Sequence, residues 1–244
     1  GVKRVRAVAA EVDELVAEVG QRKLVGMVAY NLRFHPALRQ AKSWLDAGKI
    51  GKPVSARAEV AERVTDWHPW EDFRISYAVR RDLGGGVLLT QSHELDYLRW
   101  FFGEPVWAFT SGGTRGGLGI DVEDTVEAIL GFPGGLDVSL HLDYVKRPAK
   151  RELEITGTEG RIHCDLLQYR ATLIPLETDA PAVEVGPPQG FERNVMSVDE
   201  LKHFLNCVKA GASPVVTLHD GQRAIEIVEA MRRSMETQSV VRLA

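Results

Sequence analysis

The 244-residue chain is 44% hydrophobic and 26% charged, with a formal net charge of −4. That length allows one large domain or two small ones. A slightly acidic chain lacks the basic face that nucleic acid or an anionic membrane selects, and no run approaches the ~20 apolar residues of a membrane span.

The basic start, Lys3, Arg4 and Arg6, has no apolar run behind it and reads as a frayed terminus, not an address signal. Residues 9–20 predict a helix, with Val12, Leu15, Val16 and Val19 on one stripe and Gly20 as the stop. The apolar run 24–30 (LVGMVAY) predicts a buried parallel strand. Pro36 suits the first turn of a further helix, Leu38, Ala41 and Leu45 give it a face, and Gly48 ends it.

Residues 53–64 alternate and predict a strand; 65–83 form a long loop rich in Trp, Tyr and Arg. Gly84 to Gly86 lead into a predicted helix over about 86–102. The glycine-rich stretch 110–119 is a candidate mobile loop. Runs 122–132 and 136–144, joined by Pro133-Gly134-Gly135, predict a hairpin; Leu136, Val138, Leu140 and Leu142 face one way and Asp137, Ser139, His141 and Asp143 the other. Strands over 151–156, 161–166 and 170–176 continue the sheet, with a tight turn from Gly157 to Gly160. Helices near 196–210 and 220–236 and a short apolar end close the chain. The fold class is α+β: a large open, mostly antiparallel sheet with helices on one face. The bare face of such a sheet must meet water or a second copy, and a homodimer through it is expected. Cys164 and Cys207 belong to no CxxC pair and are expected as buried thiols in a reducing cytoplasm.

The strongest chemical signal is the segment 84–103. On a helix Thr90, His93 and Asp96 share one side with Tyr97, while the rest of the segment is apolar. His93 can move a proton near neutral pH with Asp96 orienting it; it can equally be a core histidine satisfied by its neighbours. In the aromatic loop, Trp67, Trp70 and Tyr77 offer flat faces, and Arg74, Arg80 and Arg81 offer forks for phosphate or carboxylate. The mixture suits a sugar or nucleotide-sugar, or else anchors the loop. Tyr30, Asn31 and Arg33 follow the run 24–30, where ligands of open α/β sheets bind, or they dock the next helix. The sequence contains no GxGxxG, no GxxxxGK[ST], no GxSxG and no zinc-ligand spacing, so no metal is expected.

Three segments together, 30–60, 67–103 and 152–165, resemble the Gfo/Idh/MocA (glucose–fructose oxidoreductase / inositol dehydrogenase) family, and the likeness runs from about residue 9 to the end. The resemblance implies an NAD- or NADP-dependent oxidoreductase acting on a sugar, inositol or nucleotide-sugar carbinol. It implies His93 as acid/base, Asp96 as orienter or structural partner, and Arg33, Trp70, Arg74, Tyr77, Thr90 and Tyr144 as substrate contacts, with Tyr30 and Asn31 toward the cofactor. Two departures stand out. Thr90 occupies a position where the family often has aspartate. The family's Glu-Lys-Pro segment and glycine-rich turn have no counterpart here, although Lys3 lies near the expected lysine. On this reading residues 1–35 are a remnant of a Rossmann α/β domain, 36–244 form the substrate and dimerisation domain, and the chain by itself is not expected to bind the cofactor. The rivals are a non-catalytic sugar-binding or dimerisation module, and a partner chain that supplies the other half.

Overall fold

A computed structural model describes residues 9–177 and 179–243; the basic stretch at Lys3, Arg4 and Arg6 lies outside them. Period-two alternation sets the sheet. Leu136, Val138, Leu140 and Leu142 are buried while Asp137 and Ser139 are exposed, so strand β4 (Leu136–Asp143) turns one face to a core and one outward. Its hairpin partner is β3 (Thr125–Phe132), joined through Pro133–Gly135, where Gly134 takes the left-handed φ of 79°.

The other strands are β1 (Pro53–Ala61), β2 (Trp107–Gly113), β5 (Lys150–Gly157), β6 (Gly160–Asp165), β7 (Arg170–Pro175), β8 (Val183–Val185) and β9 (Val241–Arg242). They form one nine-stranded open sheet in the order β8-β7-β6-β5-β1-β4-β3-β2-β9. The central pair β1/β4 is parallel and the other pairs are antiparallel. The α+β class is therefore as read from the sequence.

The helices are α1 (Ala9–Gln21), α2 (Pro36–Asp46), α3 (Val87–Thr90), α4 (His93–Phe102), α5 (Asn194–Ala210) and α6 (Leu218–Thr237). Helices α2, α3 and α6 pack on the inner face of the sheet; α4 packs on α6, and α1 rests on α6 from outside. In α2, Pro36 opens the first turn, Leu38 and Ala41 are fully buried, and Gly48 at φ 68° follows the end. A Thr217–Asp220 capping box starts α6. On the outer face Lys146 and Lys150 both pair with Glu59, and Arg161 pairs with Glu154, so charges there are largely matched.

Three expectations are corrected. Residues 24–30 are not a buried strand. They make one bridge, Met27 to Thr217, and Leu24 is exposed; an apolar run becomes a parallel strand only when strands lie alongside to take its hydrogen bonds. The helix over 86–102 is broken: Ser92 N bonds Leu89 O and Glu94 N bonds Gln91 O, three-residue steps that separate α3 from α4. The stretch 110–119 is not a free loop. Thr110 to Gly113 belong to β2, and the amides of Arg115 and Gly116 bond the Asp124 carboxylate at 2.7 and 2.8 Å.

The turn after α2 approaches the sheet so closely that a Cβ on Gly157 would lie 2.1 Å from the Ile50 carbonyl oxygen. Backbone cannot swing aside as a side chain can. Gly157→Ala is expected to cost about 1–3 kcal/mol, read as a lower urea midpoint with an unchanged slope.

Candidate active site

The three glycines before α3 serve the backbone. Gly84 takes φ 78°, and a Cβ on Gly85 would lie 2.6 Å from the Tyr77 carbonyl oxygen. Gly86, at φ 111°, would put a Cβ 2.4 Å from the Glu123 carboxylate. This close passage sets α3 under the loop 77–80 and delivers Thr90 and His93 to the interior.

His93 keeps part of its surface, but its Nδ1 is buried without a hydrogen-bond partner. Tyr30 meets the ring edge-on, with centroids 5.2 Å apart. Burial first, and Arg151 second, push the His93 pKa down to about 3. The imidazole is therefore neutral at physiological pH and offers one lone pair and one N–H. Among the described residues seven further buried side-chain polar atoms have no hydrogen-bond partner, four of them in or near this segment: Trp67 Nε1, Thr90 Oγ1, Gln91 Oε1 and the Tyr97 hydroxyl.

Two buried ion pairs grip α4. Asp96, fully buried, accepts from Arg33 at 2.7 and 2.9 Å. Glu94, also fully buried, accepts from Arg151 at 2.7 and 2.9 Å. Burial raises the pKa of both carboxyl groups, and the arginines oppose it. Arg33 also lies over the Trp100 ring at 5.2 Å.

The predicted residues thus separate into groups. Tyr30, Arg33, His93 and Asp96 do come together. Arg33 is a nearly buried counter-ion and not an open substrate contact, because Asp96 occupies its fork. Both Asp96 oxygens face Arg33, so Asp96 is the structural partner and does not orient His93. Tyr30 is buried, its hydroxyl donates to Ser92 Oγ at 3.2 Å, and burial pushes its pKa up to about 12. Asn31 opens the short helical turn 31–34. Tyr144 is fully buried and donates to the Ala78 carbonyl at 3.2 Å, so it anchors the loop and offers no free hydroxyl. Thr90 Oγ1 is buried beside the Tyr144 hydroxyl, without a hydrogen bond of good geometry. Trp70, Arg74 and Tyr77 stand exposed on the loop, Trp70 edging His68 and Arg74 pairing with Asp72. The sequence reading missed Glu94, Arg151 and Gln91. Two signals were present: Glu94 is a charge on an apolar helix, and Arg151 has the parity of Leu153 and Ile155 in its strand.

Residues 38–163 match the GFO/IDH/MocA C-terminal domain. The chain belongs to the Gfo/Idh/MocA family. Bovine trans-1,2-dihydrobenzene-1,2-diol dehydrogenase is 29% identical over 235 residues, 93% of this chain and 67% of the bovine protein. Myo-inositol 2-dehydrogenase of Thermotoga maritima is 28% identical over 246 residues, 96% of this chain and 69% of that one. The chain thus spans about two thirds of the length of these Gfo/Idh/MocA relatives. Levoglucosan dehydrogenase in complex with NADH has the same fold, with a TM-score of 0.87 at 22% identity over 98% of this chain and 71% of that one.

His35 gives a pH test. It is 1% exposed, stacks on Tyr169, and bonds the Leu166 carbonyl through Nε2; burial pushes its pKa down to about 4 from 6.5. Below pH 6.5 the unfolded chain binds a proton there that the folded chain refuses. The associated stability is complete above pH 6.5 and is lost as pH falls toward 4, by up to about 3 kcal/mol. Urea unfolding at pH 7.0 and 5.0 is expected to show a drop that His35→Phe reduces.

Proposed function

We propose that this chain is the proton-handling, substrate-facing part of an NAD(P)-linked dehydrogenase that interconverts carbinol and carbonyl on a sugar, inositol or nucleotide-sugar. The observation that carries this reading is the neutral, partly exposed His93, whose Nδ1 is buried without a partner, on a segment that also carries unpartnered buried atoms of Gln91 and Tyr97. Each sealed polar atom costs about 1–3 kcal/mol, tolerable where a ligand or its water completes the bonding. Membership of a family whose similar proteins are named dehydrogenases supports it.

In oxidation the substrate hydroxyl gives its proton to His93; in reduction His93 returns it. Being unprotonated at pH 7, the ring is in the form that accepts. Thr90 can hydrogen-bond the same hydroxyl but cannot carry charge, so its part is orientation. Exposed Trp70, Arg74 and Tyr77 suit the rim, where flat faces meet a sugar ring and a guanidinium meets a phosphate. A nicotinamide cofactor, when bound, supplies the hydride acceptor or donor. On this reading Tyr30 and Asn31, at the end of the segment 24–30, would meet its ring end. The 244 residues contain no GxGxxG turn to cradle its phosphates, so the dinucleotide site does not fit these residues alone. On this reading residues 1–35 are the closing piece of a cofactor unit and 36–244 the substrate unit.

A second reading, a sugar-binding module without turnover, is favoured by one feature: both Asp96 oxygens bond Arg33, and among the described residues no carboxylate bonds the His93 Nδ1. Thermal-shift titration with NADH, NADPH and a panel of polyols, sugars and nucleotide-sugars, followed by a dehydrogenase assay, decides. The dehydrogenase reading expects a melting shift with a carbinol ligand and turnover that His93→Asn lowers about 10²–10⁴-fold. Carbinol binding unaffected by His93→Asn, with no turnover in either protein, establishes the module instead.

The open outer face supports pairing of two copies. Phe109 and Ile129, opposite one another on β2 and β3, are 38% and 43% exposed among charged residues. Sedimentation is expected at twice the 27.0 kDa chain mass; Phe109→Lys with Ile129→Lys should shift it to the monomer, and a wild-type monomer at micromolar concentration rejects the pairing.

A further inference from the structure

The run 24–30 is joined to the rest of the chain at the start of α6. Met27 bridges Thr217, and the Val28 amide bonds the Val216 carbonyl at 3.4 Å. The packing there is close from both sides: a Cβ on Gly221 would lie 2.7 Å from Val28 Cγ2, and one on Gly26 would lie 2.6 Å from Leu218 Cδ1. Tyr30, at the end of the run, packs with Val216 and Ala224, stands edge-on to His93 with centroids 5.2 Å apart, and donates to Ser92 Oγ just before α4. The relation between Tyr30 and His93 therefore depends on how the start of α6 is held against α4.

Asp220 sits at that joint. Its Oδ2 accepts from the amide and the hydroxyl of Thr217, both at 2.7 Å. Its Oδ1 faces two arginines, Arg99 of α4 at 3.4 Å and Arg33 at 3.8 Å, and its carbonyl accepts from Arg99 at 3.1 Å. Each arginine has a nearer carboxylate, Asp96 for Arg33 and Glu104 for Arg99, so Asp220 adds connection more than neutralisation. An uncharged glutamine serves at this position of a capping box, and the cap alone does not call for a charge. Burial opposes that charge, but the Thr217 bonds, and then Arg99 and Arg33, hold the Asp220 pKa below the usual carboxylate range.

We propose that Asp220 is a positioning residue of the His93 site: its carboxylate ties the run 24–30, through Thr217, to helix α4, through Arg99 directly and through Arg33 with its partner Asp96, and so sets the edge-on approach of Tyr30 to His93. The inference deepens the dehydrogenase reading, on which Tyr30 lies toward the cofactor and His93 moves the proton. Hydride and proton leave one carbinol together only if both sides are held in place, and a misplacement of about 1 Å can cost about 10²-fold in rate. The two arginines are long side chains, yet neither is free to drift. Arg33 is locked on both Asp96 oxygens and lies over Trp100, and Arg99 is locked on Glu104. A carboxylate that meets both therefore transmits the position of α6 to α4.

Spectra of the whole chain with ¹³C-labelled histidine rings read the geometry without turnover. The carbon-bound ring protons of His93, assigned through His93→Asn, feel the Tyr30 ring current, and Tyr30→Leu gives their positions without it. Asp220→Asn keeps an oxygen for Thr217 and loses the charge. It is expected to move the His93 resonances toward those of Tyr30→Leu, while Asp220→Glu, which keeps the charge, stays nearer the native positions. Thr217→Ala weakens the cap and lowers the melting temperature, but its amide still bonds Asp220, and the His93 resonances are expected to stay in place. Should Asp220→Asn not fold, Asp220→Ser, with a hydroxyl acceptor, carries the same test. Where the native chain turns over, Asp220→Asn is expected to lower kcat about tenfold with KM within about twofold. Native His93 resonances in folded Asp220→Asn overturn the proposal, and so does Thr217→Ala moving them as far as Asp220→Asn does. Moved resonances in a chain without turnover uphold Asp220 as the joint and count against the dehydrogenase reading instead.

Discussion

Helix α4 is an apolar rod that carries two buried carboxylates, and the site is arranged around how those charges are met. Asp96 is held by Arg33 from the segment before α2, and Glu94 is held by Arg151 from the sheet. Removing two charges from water costs several kcal/mol per ion, recovered only when each oxygen finds a donor at good distance. Both pairs are bidentate, with bonds of 2.7 and 2.9 Å. They add little net stability over apolar packing, but each punishes any other placement of the helix by leaving a charge unpaired. Register and depth of α4 follow from that penalty.

With α4 pinned on two sides, the position of His93 is no longer adjustable. The break after α3 also matters. The tightened bonds at Ser92 and Glu94 rotate α4 relative to Thr90, so the four-residue turn of α3 and the ten-residue α4 present their polar groups separately. The glycine run supplies the other constraint, since Gly85 and Gly86 admit the loop backbone and Glu123 where a Cβ would collide. Between these restraints lie polar atoms that the protein itself does not satisfy. The same fold that pairs its buried carboxylates so carefully leaves buried atoms of His93 and Tyr97 without partners among the described residues.

Much of this was legible in the sequence. The alternation in 136–143 required a two-faced sheet, and Pro133-Gly134-Gly135 required the hairpin. The spacing of Leu38 and Ala41 after Pro36 required an amphipathic helix, and the glycine run ahead of His93 marked a close backbone passage. Less legible was anything that depended on which neighbour arrives. The run 24–30 has the composition of a buried strand, yet it makes a single bridge, because composition does not provide the adjacent strands. Arg33, Asp96 and Tyr144 were correctly singled out as unusual polar residues, but their partners turned out to be one another or the backbone, and not an open ligand surface.

The division has a physical basis. Periodicity, turn chemistry and glycine sterics act over a few residues, so the chain by itself determined most of the element pattern, the α+β class and the family resemblance. Which charge meets which is settled over distances of dozens of residues, as for Glu94 and Arg151 or Arg33 and Asp96. Burial, not sequence neighbourhood, makes those encounters strong, because a charge in a dry interior must find its counter-ion wherever the fold has put it. Only the tertiary structure decided that the His93 Nδ1 is buried without a partner, and that Asp96 belongs to Arg33.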